Sequence, residues 1–488
     1  MIRRALARFR KARPEAAAEP HPLTKFGLNL LPFADAASDG LPLRRLLRLS
    51  LFQVSVGMAT VILLGALNRV MIVELGVAAS LVAAMAALPV LIAPFRALLG
   101  FRSDTFRSAL GWKRIPYLWF GSLWQFGGLA IMPFALLILS GDQTWGPDWA
   151  GHVGAAAAFA MTGVGLHMTQ TAGLALAADQ ADEATRPRVV ALLYVMLLAG
   201  MAVSALVLGW LLRDFSALRL IQVVQGAAVV TLALNVVALW KQEVLRPMDR
   251  AAREAPRPRF ADAWRDFAAG GQAGRLLAVT ALGACAFSMQ DILLEPYGGE
   301  VLGLSVSATT TLTALWALGA LAGFGLASRW LGGRLGACGV AARGAAIGVV
   351  AFSCVIFAEP TGLDALFFVG AGLIGLGLGL FSVATLTEAM AMAAEGGAGL
   401  ALGAWGAAQA TAAGLGIALG GAIHDLVGEA ALSGALGEAL TTPATGYAAV
   451  YHLEIVLLFV TLIALGPLAG RRRGARPPTR MGLAEFPT

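Results

Sequence analysis

The chain has 488 residues, of which 58% are hydrophobic and 13% charged, with a formal net charge of +7. Soluble domains carry about 45–50% apolar and about 25% charged residues, so this composition excludes a soluble globular domain and indicates a polytopic membrane protein. The basic excess has no interleaved stacking aromatics, which argues against nucleic acid and for anionic lipid as its counterpart.

The chain opens on "MIRRALARFRKARPEAAAEP", which is basic but has no apolar core, so it reads as a tail and not a signal peptide. Apolar runs follow at 46–73, 77–99, 115–139, 151–178, 189–212, 219–240, 276–297, 304–328, 343–358, 365–392, 398–424 and 447–469. None alternates with period two, so a membrane barrel is excluded and helices remain to satisfy the backbone in lipid. Basic residues fall in every second connection. Arg102, Arg107, Lys113 and Arg114 lie after the second run, and Arg186 and Arg188 after the fourth. Arg329 and Arg334 follow the eighth, and "RRRGAR" follows the twelfth. Loops such as "SGDQTWGPDWAGH" and "AEPTGLDA" carry almost none. The positive-inside rule then places both termini in the cytoplasm.

A Pro- and Arg-rich segment, 241–275, divides the runs into two sets of six and carries an interfacial helix around "FADAWRDFAA". The expected organisation is a cytoplasmic tail, 1–45, that can hold an interfacial helix, then a six-helix bundle, 46–240. The linker 241–275, a second bundle, 276–469, and a cytoplasmic tail, 470–488, follow. The halves echo one another: "GVGLHMTQTAGLALAAD" (163–179) ends the fourth run and "GLGLFSVATLTEAMAMA" (377–393) the tenth. An all-α polytopic membrane protein with twelve transmembrane helices in two six-helix bundles, the major facilitator superfamily fold, is the expectation.

The best-marked loop is "GFRSDTFRSALGWKR", in which Asp104 is a lone acid among basic residues. With Gly100, Arg107, Lys113 and Arg114 it resembles the superfamily's loop motif, which implies a cytoplasmic latch between the halves. A charge within hydrocarbon is costly and calls for a partner. Asn68 and Arg69 lie near the end of the first run, and Gln290, Asp291 and Glu295 near the end of the seventh, its repeat counterpart. We expect Arg69 to pair with Asp291 or Glu295, with Asn68 and Gln290 completing the hydrogen bonds; snorkelling of Arg69 to the headgroups is the alternative. His167 sits at mid-span, one turn from Gln170. Its imidazole suits a helix–helix hydrogen bond, a proton relay or ligation of a chlorin magnesium. Cys285, Cys338 and Cys354 have no CxxC or metal spacing and read as packing residues. No nucleophile–base set, phosphate loop or metal cluster is present in the sequence, so an enzyme is not expected.

Four blocks carry a family resemblance: "LRLSLFQVSVGMATVILLGALNRVMIVELGV", "LPVLIAPFRALLGFRSD", "LGWKRIPYLWFGSLWQFGGLAIMPFALLILSGD" and "MQDILLEPYGGEVLGLSVSATT". They resemble the PucC/LhaA family, also called the bacteriochlorophyll delivery family, over about residues 26–470. The resemblance implies the inner, intracytoplasmic membrane of a purple phototroph. It implies an assembly factor for the light-harvesting core antenna, light-harvesting complex 1, that binds bacteriochlorophyll a or delivers it to antenna alpha and beta polypeptides. It leaves the reaction centre and bacteriochlorophyll synthase as further partners. His167 and Gln170 are the pigment-ligand candidates. The front segment "FGLNLLPFADAASDGLPLRRLLRLS" is more similar to the core-antenna branch than to the peripheral-antenna, PucC-type branch. A secondary transporter of pigment or a small solute, working by alternating access, is the alternative class.

Overall fold

The computed structural model describes residues 41–472 apart from 64–66, 68–69, 72–74, 76, 78, 108–110, 142–146, 148, 184, 213–215, 244–257, 270–271, 305, 332–335 and 394–397. Among the described residues all regular structure is helical. In the first half these are α1 (Leu43–Val61), α2 (Ala79–Ile92), α3 (Arg96–Asp104), α4 (Ile115–Leu139), α5 (Trp149–Gln180), α6 (Arg186–Leu211) and α7 (Ala217–Leu239). The linker carries α8 (Phe260–Ala269). The second half comprises α9 (Gln272–Ser288), α10 (Leu294–Glu300), α11 (Val306–Leu331), α12 (Ala337–Thr361), α13 (Asp364–Ala393), α14 (Ala398–Leu432) and α15 (Ala444–Arg472).

Among the described residues, nine segments are long and apolar enough to cross a membrane, α9 and α10 counting as one. With α1, the broken pair α2–α3 and the 32-residue α5 they make up the twelve expected spans. Some bounds differ from those read in the sequence. The ninth span, short as an apolar run, extends through Arg343 to Ala337–Thr361, and the eleventh reaches Leu432. The added turns carry or border charges, Arg343 in the ninth span and Asp425 and Glu429 in the eleventh, which end an apolar run without ending a helix. Among the described residues, two spans pass through a 3-10 turn. The second passes through a 3-10 turn at Ala93–Phe95, where Pro94 cannot donate. The seventh passes through a 3-10 turn at Met289–Ile292. Ends are capped locally: Ser216 accepts from the Arg219 N–H at 3.1 Å to start α7. Gly362, at φ 63°, ends α12 in the left-handed conformation that glycine tolerates best.

The packing repeats itself. In the first half α4 packs on α5 and α7, α1 on α6 and α7, and α2 on α5. In the second half α12 packs on α13 and α15, α9 on α14 and α15, and α11 on α13. Replacing each span by the one six further along converts the first set of neighbours into the second. This is the signature of two six-helix bundles related by a pseudo-twofold axis. The bundles meet where α3 lies on α14 and, at the symmetric position, where α6 lies on α11. Tyr194 of α6 stacks on Phe324 of α11 at that second contact, with centroids 5.0 Å apart.

Candidate functional site

The α3–α14 contact is built from glycine. A Cβ on Gly100 would strike the Gly399 backbone, and one on Gly399 the carbonyl of Gly100. Gly403 lies on the backbone of Arg96, and Gly406 on its guanidinium. Small residues at this spacing let two helices approach to backbone contact. The end that carries the basic loops, termed here the basic side, is closed by this seam.

Charge then fixes the seam. The Asp104 carboxylate accepts from the backbone N–H groups of Gly399 and Leu400, each at 2.8 Å. It thus caps the N-terminus of α14 from the opposite half, where free amides and the helix dipole favour an anion. Arg114 lies between two acids, 2.5 Å from Asp104 and 2.9 Å from Asp179 at the end of α5, and donates to Ser103 Oγ. Burial works against its charge, but Asp179 and then Asp104 outweigh it, so its pKa is raised and the guanidinium is held charged. A second carboxylate repeats the capping within the first half. Glu243, just past α7, accepts from the backbone N–H groups of Lys113 at 2.8 Å, Arg114 at 3.1 Å and Ile115 at 3.2 Å, at the N-terminus of α4. Of the residues expected to form the latch, Gly100, Asp104 and Arg114 stand at the seam. Lys113 contributes its backbone, and Arg107 is half-buried in the same loop.

The other sequence candidates are placed as follows. Asn68 and Arg69 lie outside the described residues. Gln290 and Asp291 are joined by Gln290 Nε2 donating to Asp291 Oδ1 at 2.6 Å. Glu295 accepts from the Thr313 hydroxyl of α11 at 2.6 Å. His167 is buried, and its Nε2 donates to the carbonyl of Pro89 at 2.8 Å, close to the break in the second span. Its ring is enclosed between packed helices, with Nδ1 buried too. The arrangement is the helix–helix hydrogen bond and leaves no open face for a chlorin, so His167 does not fit an axial ligand here. Gln170 is half-buried on the same helix.

Two further charges are buried in the spans, and of these Arg96 went unnoticed in the sequence. Arg96 is 2% exposed and lies at the seam, yet it sits near the end of the run 77–99, where a charge draws little attention. Glu454 of α15 is fully buried, and its Oε1 accepts from the Gln290 N–H at 2.8 Å. That amide belongs to the 3-10 turn of the seventh span, so the carboxylate serves a donor freed by the helix break. Glu454→Gln should therefore be tolerated, whereas Glu454→Leu should cost about 1–3 kcal/mol by stranding the amide. Thermal unfolding in detergent checks this, and equal stability of the two variants would refute it.

Two cavities lie among the described residues apart from the seam. One of about 210 Å³ lies between the halves, with Tyr194, Trp316, Phe324, Phe381 and Trp405 in its wall. The other, about 410 Å³, is a groove between α6 and α7 walled by Val203, Val207, Leu211, Val223 and Val230, with Ser204, Arg219 and Gln222 as its polar members.

Twelve spans in two like halves, joined through α3–α14 and α6–α11 and latched by a carboxylate on a helix N-terminus, define a membrane protein of the major facilitator type. A solved bacterial homologue of the iron transporter ferroportin in an outward-facing state superposes with a TM-score of 0.67 over 88% of this chain and 98% of that one, at 14% identity. That likeness concerns the fold. The family described as PUCC protein matches residues 66–473, and the chain belongs to that family. It is 64% identical, over 94% of its own length and 97% of the relative's, to an uncharacterized protein in the puhA-bchM intergenic region of Rhodobacter capsulatus. It is 54% identical to the protein PucC of Rhodovulum sulfidophilum, over 82% of this chain and 89% of that one.

Proposed function

We propose that this protein is a non-enzymatic assembly factor for photosynthetic antenna complexes, acting in the bacterial inner membrane with both termini in the cytoplasm. Membership of the PUCC family over most of the chain carries this reading. Its client is the core antenna, light-harvesting complex 1, and it binds bacteriochlorophyll a or passes it to the alpha and beta polypeptides. Reaction-centre subunits and bacteriochlorophyll synthase are the neighbours from which pigment and clients would come.

A chlorin offers a broad apolar face and one metal that takes an axial ligand. The groove between α6 and α7 fits such a group better than the surroundings of His167. It is apolar, it is the larger of the two cavities, and Ser204 Oγ in its wall is buried without a protein hydrogen-bond partner. Ser204 or Gln222 would present an oxygen to the pigment, and Arg219 would meet its polar edge. Bound pigment supplies the light-absorbing group that the antenna needs; the chain's own part is to hold it away from water.

The test is purification in mild detergent with an absorption spectrum and identification of co-purifying polypeptides. Bacteriochlorophyll bands together with antenna polypeptides are expected. His167→Leu should leave those bands unchanged. Gly226→Trp, which fills the groove where a Cβ meets nothing within 4 Å, should reduce them severalfold. Loss of the protein in the cell should lower assembled core antenna while pigment synthesis continues; loss of peripheral antenna alone would assign the client to the PucC type. The closed basic side and the cavity between the halves favour, as a second reading, secondary transport by alternating access. A colourless protein that moves a solute across liposome membranes would establish that reading and overturn the first.

A further inference from the structure

Arg343 is the only basic residue of α12, and it stands nearly two turns inside the helix that begins at Ala337. It shares an exposed stripe with Ala346, Val350 and Phe357, whereas Gly344, Gly348 and Val355 are buried. α12 packs on α13 and α15 of its own half, and Val350 and Phe357 on the stripe are more than half exposed, so the stripe faces lipid. At about 1.5 Å per residue the Arg343 backbone lies about 9 Å in from Ala337, deeper than the roughly 5–8 Å of headgroup region on each side of a bilayer. A charge at that depth is costly unless it finds a counter-charge. Among the described residues no carboxylate is within ion-pair distance of it. From Val306 to Ala358 the sequence holds Arg329, Arg334 and Arg343 and no Asp or Glu at all.

The side chain answers by running back along its helix. Nη1 donates to the carbonyl of Gly339 at 3.1 Å, four residues nearer the basic side. The guanidinium carbon lies 5.8 Å from the ring centroid of Trp330, in the last turn of α11. A long basic side chain that turns back in this way brings its charge to the headgroup level, where tryptophan is enriched. The indole face holds the guanidinium in place, and its remaining N–H groups are left for an acceptor from outside the protein. Arg329, next to Trp330, is exposed as well. α15, packed on α12, ends on the same side at Arg472, in the run "RRRGAR". We propose that Arg343 and Trp330, with Arg329 beside them, form a binding site for the phosphate of an anionic phospholipid in the leaflet on the basic side. The guanidinium fork takes the phosphate oxygens, and the acyl chains lie along Ala346, Val350 and Phe357. This site is on the outer face of the second half, and it stands or falls independently of the pigment groove and of the proposed function.

Native mass spectrometry of the full chain in detergent, titrated with phosphatidylglycerol or phosphatidylcholine, tests the proposal. Phosphatidylglycerol should bind saturably and on the order of tenfold more tightly than phosphatidylcholine, whose choline offsets the phosphate charge. Arg343→Gln should remove one tightly held phosphatidylglycerol; Arg343 is exposed, so its loss leaves the packing intact. Arg343→Lys should retain part of the binding, since lysine keeps the charge and loses the fork. Trp330→Leu, which changes no charge, should weaken phosphatidylglycerol severalfold. Arg265→Gln, on the water-exposed face of α8, should change nothing. Equal binding of the two lipids, or phosphatidylglycerol binding that survives Arg343→Gln unchanged, would overturn the proposal. Displacement of the lipid by inorganic phosphate at equal concentration would also overturn it, by assigning the site to a free anion.

Discussion

Gly399→Leu should force the two halves apart on the basic side and lower stability by at least about 3 kcal/mol. The neighbour of the new side chain is the backbone of Gly100, which cannot rotate away as a flexible side chain would. Overpacking alone costs about 1–3 kcal/mol. Here it also withdraws the α14 N-terminus from Asp104, so the Gly399 and Leu400 amides lose their acceptor while Arg114 still holds the carboxylate. Gly325→Leu on α11, where a Cβ meets nothing within 4 Å, should be nearly neutral. Thermal unfolding in detergent compares the two. Spin labels at the exposed positions Glu183 and Arg329, in a chain freed of its native cysteines, should report a longer distance for Gly399→Leu alone. An unchanged distance with wild-type stability would show that the glycine seam does not hold the halves.

The sequence carried the architecture because the physics behind it is local and repetitive. Each span must satisfy its own backbone in lipid, so an apolar run is already a helix. The interruptions at Pro94 and at Met289–Ile292 were less visible, since neither breaks the apolar run. For the site, Asp104 stood out as a lone acid in a basic loop, but its partners are backbone amides almost 300 residues away, and an amide has no letter in a sequence. Asp179 and Glu243 reach Arg114 and its helix end through tertiary placement alone. His167 shows the opposite problem. Its chemistry permits a ligand, a relay or a hydrogen bond, and only the carbonyl of Pro89 at 2.8 Å selects among them. Arg96 escaped notice because its importance lies in what surrounds it: two helices from different segments, a run of glycines and no acid.

Arg114→Met should destabilise the protein more than the same change combined with Asp104→Asn. The Arg114 side chain is 4% exposed and that of Asp104 13%, whereas Asp179 is 40% exposed. Removing the cation leaves Asp104 as a nearly buried charge held by the two α14 amides alone. Breaking a buried pair in this way costs about 3–5 kcal/mol. Asp179, open to solvent, contributes little to that cost. Asparagine at 104 removes the stranded charge, and its carbonyl oxygen still accepts one of the two amides at the α14 N-terminus. The double variant should therefore recover part of the loss, in the thermal midpoint and in the closure reported by labels across the seam. Arg265→Met is the control, because Arg265 and Asp262 are 76% and 56% exposed and 3.7 Å apart on α8, a pairing worth about 0–1 kcal/mol. If Arg114→Met proves as stable as its combination with Asp104→Asn, the two acids are not held by Arg114, and the latch rests on the glycine contact and the helix cap alone.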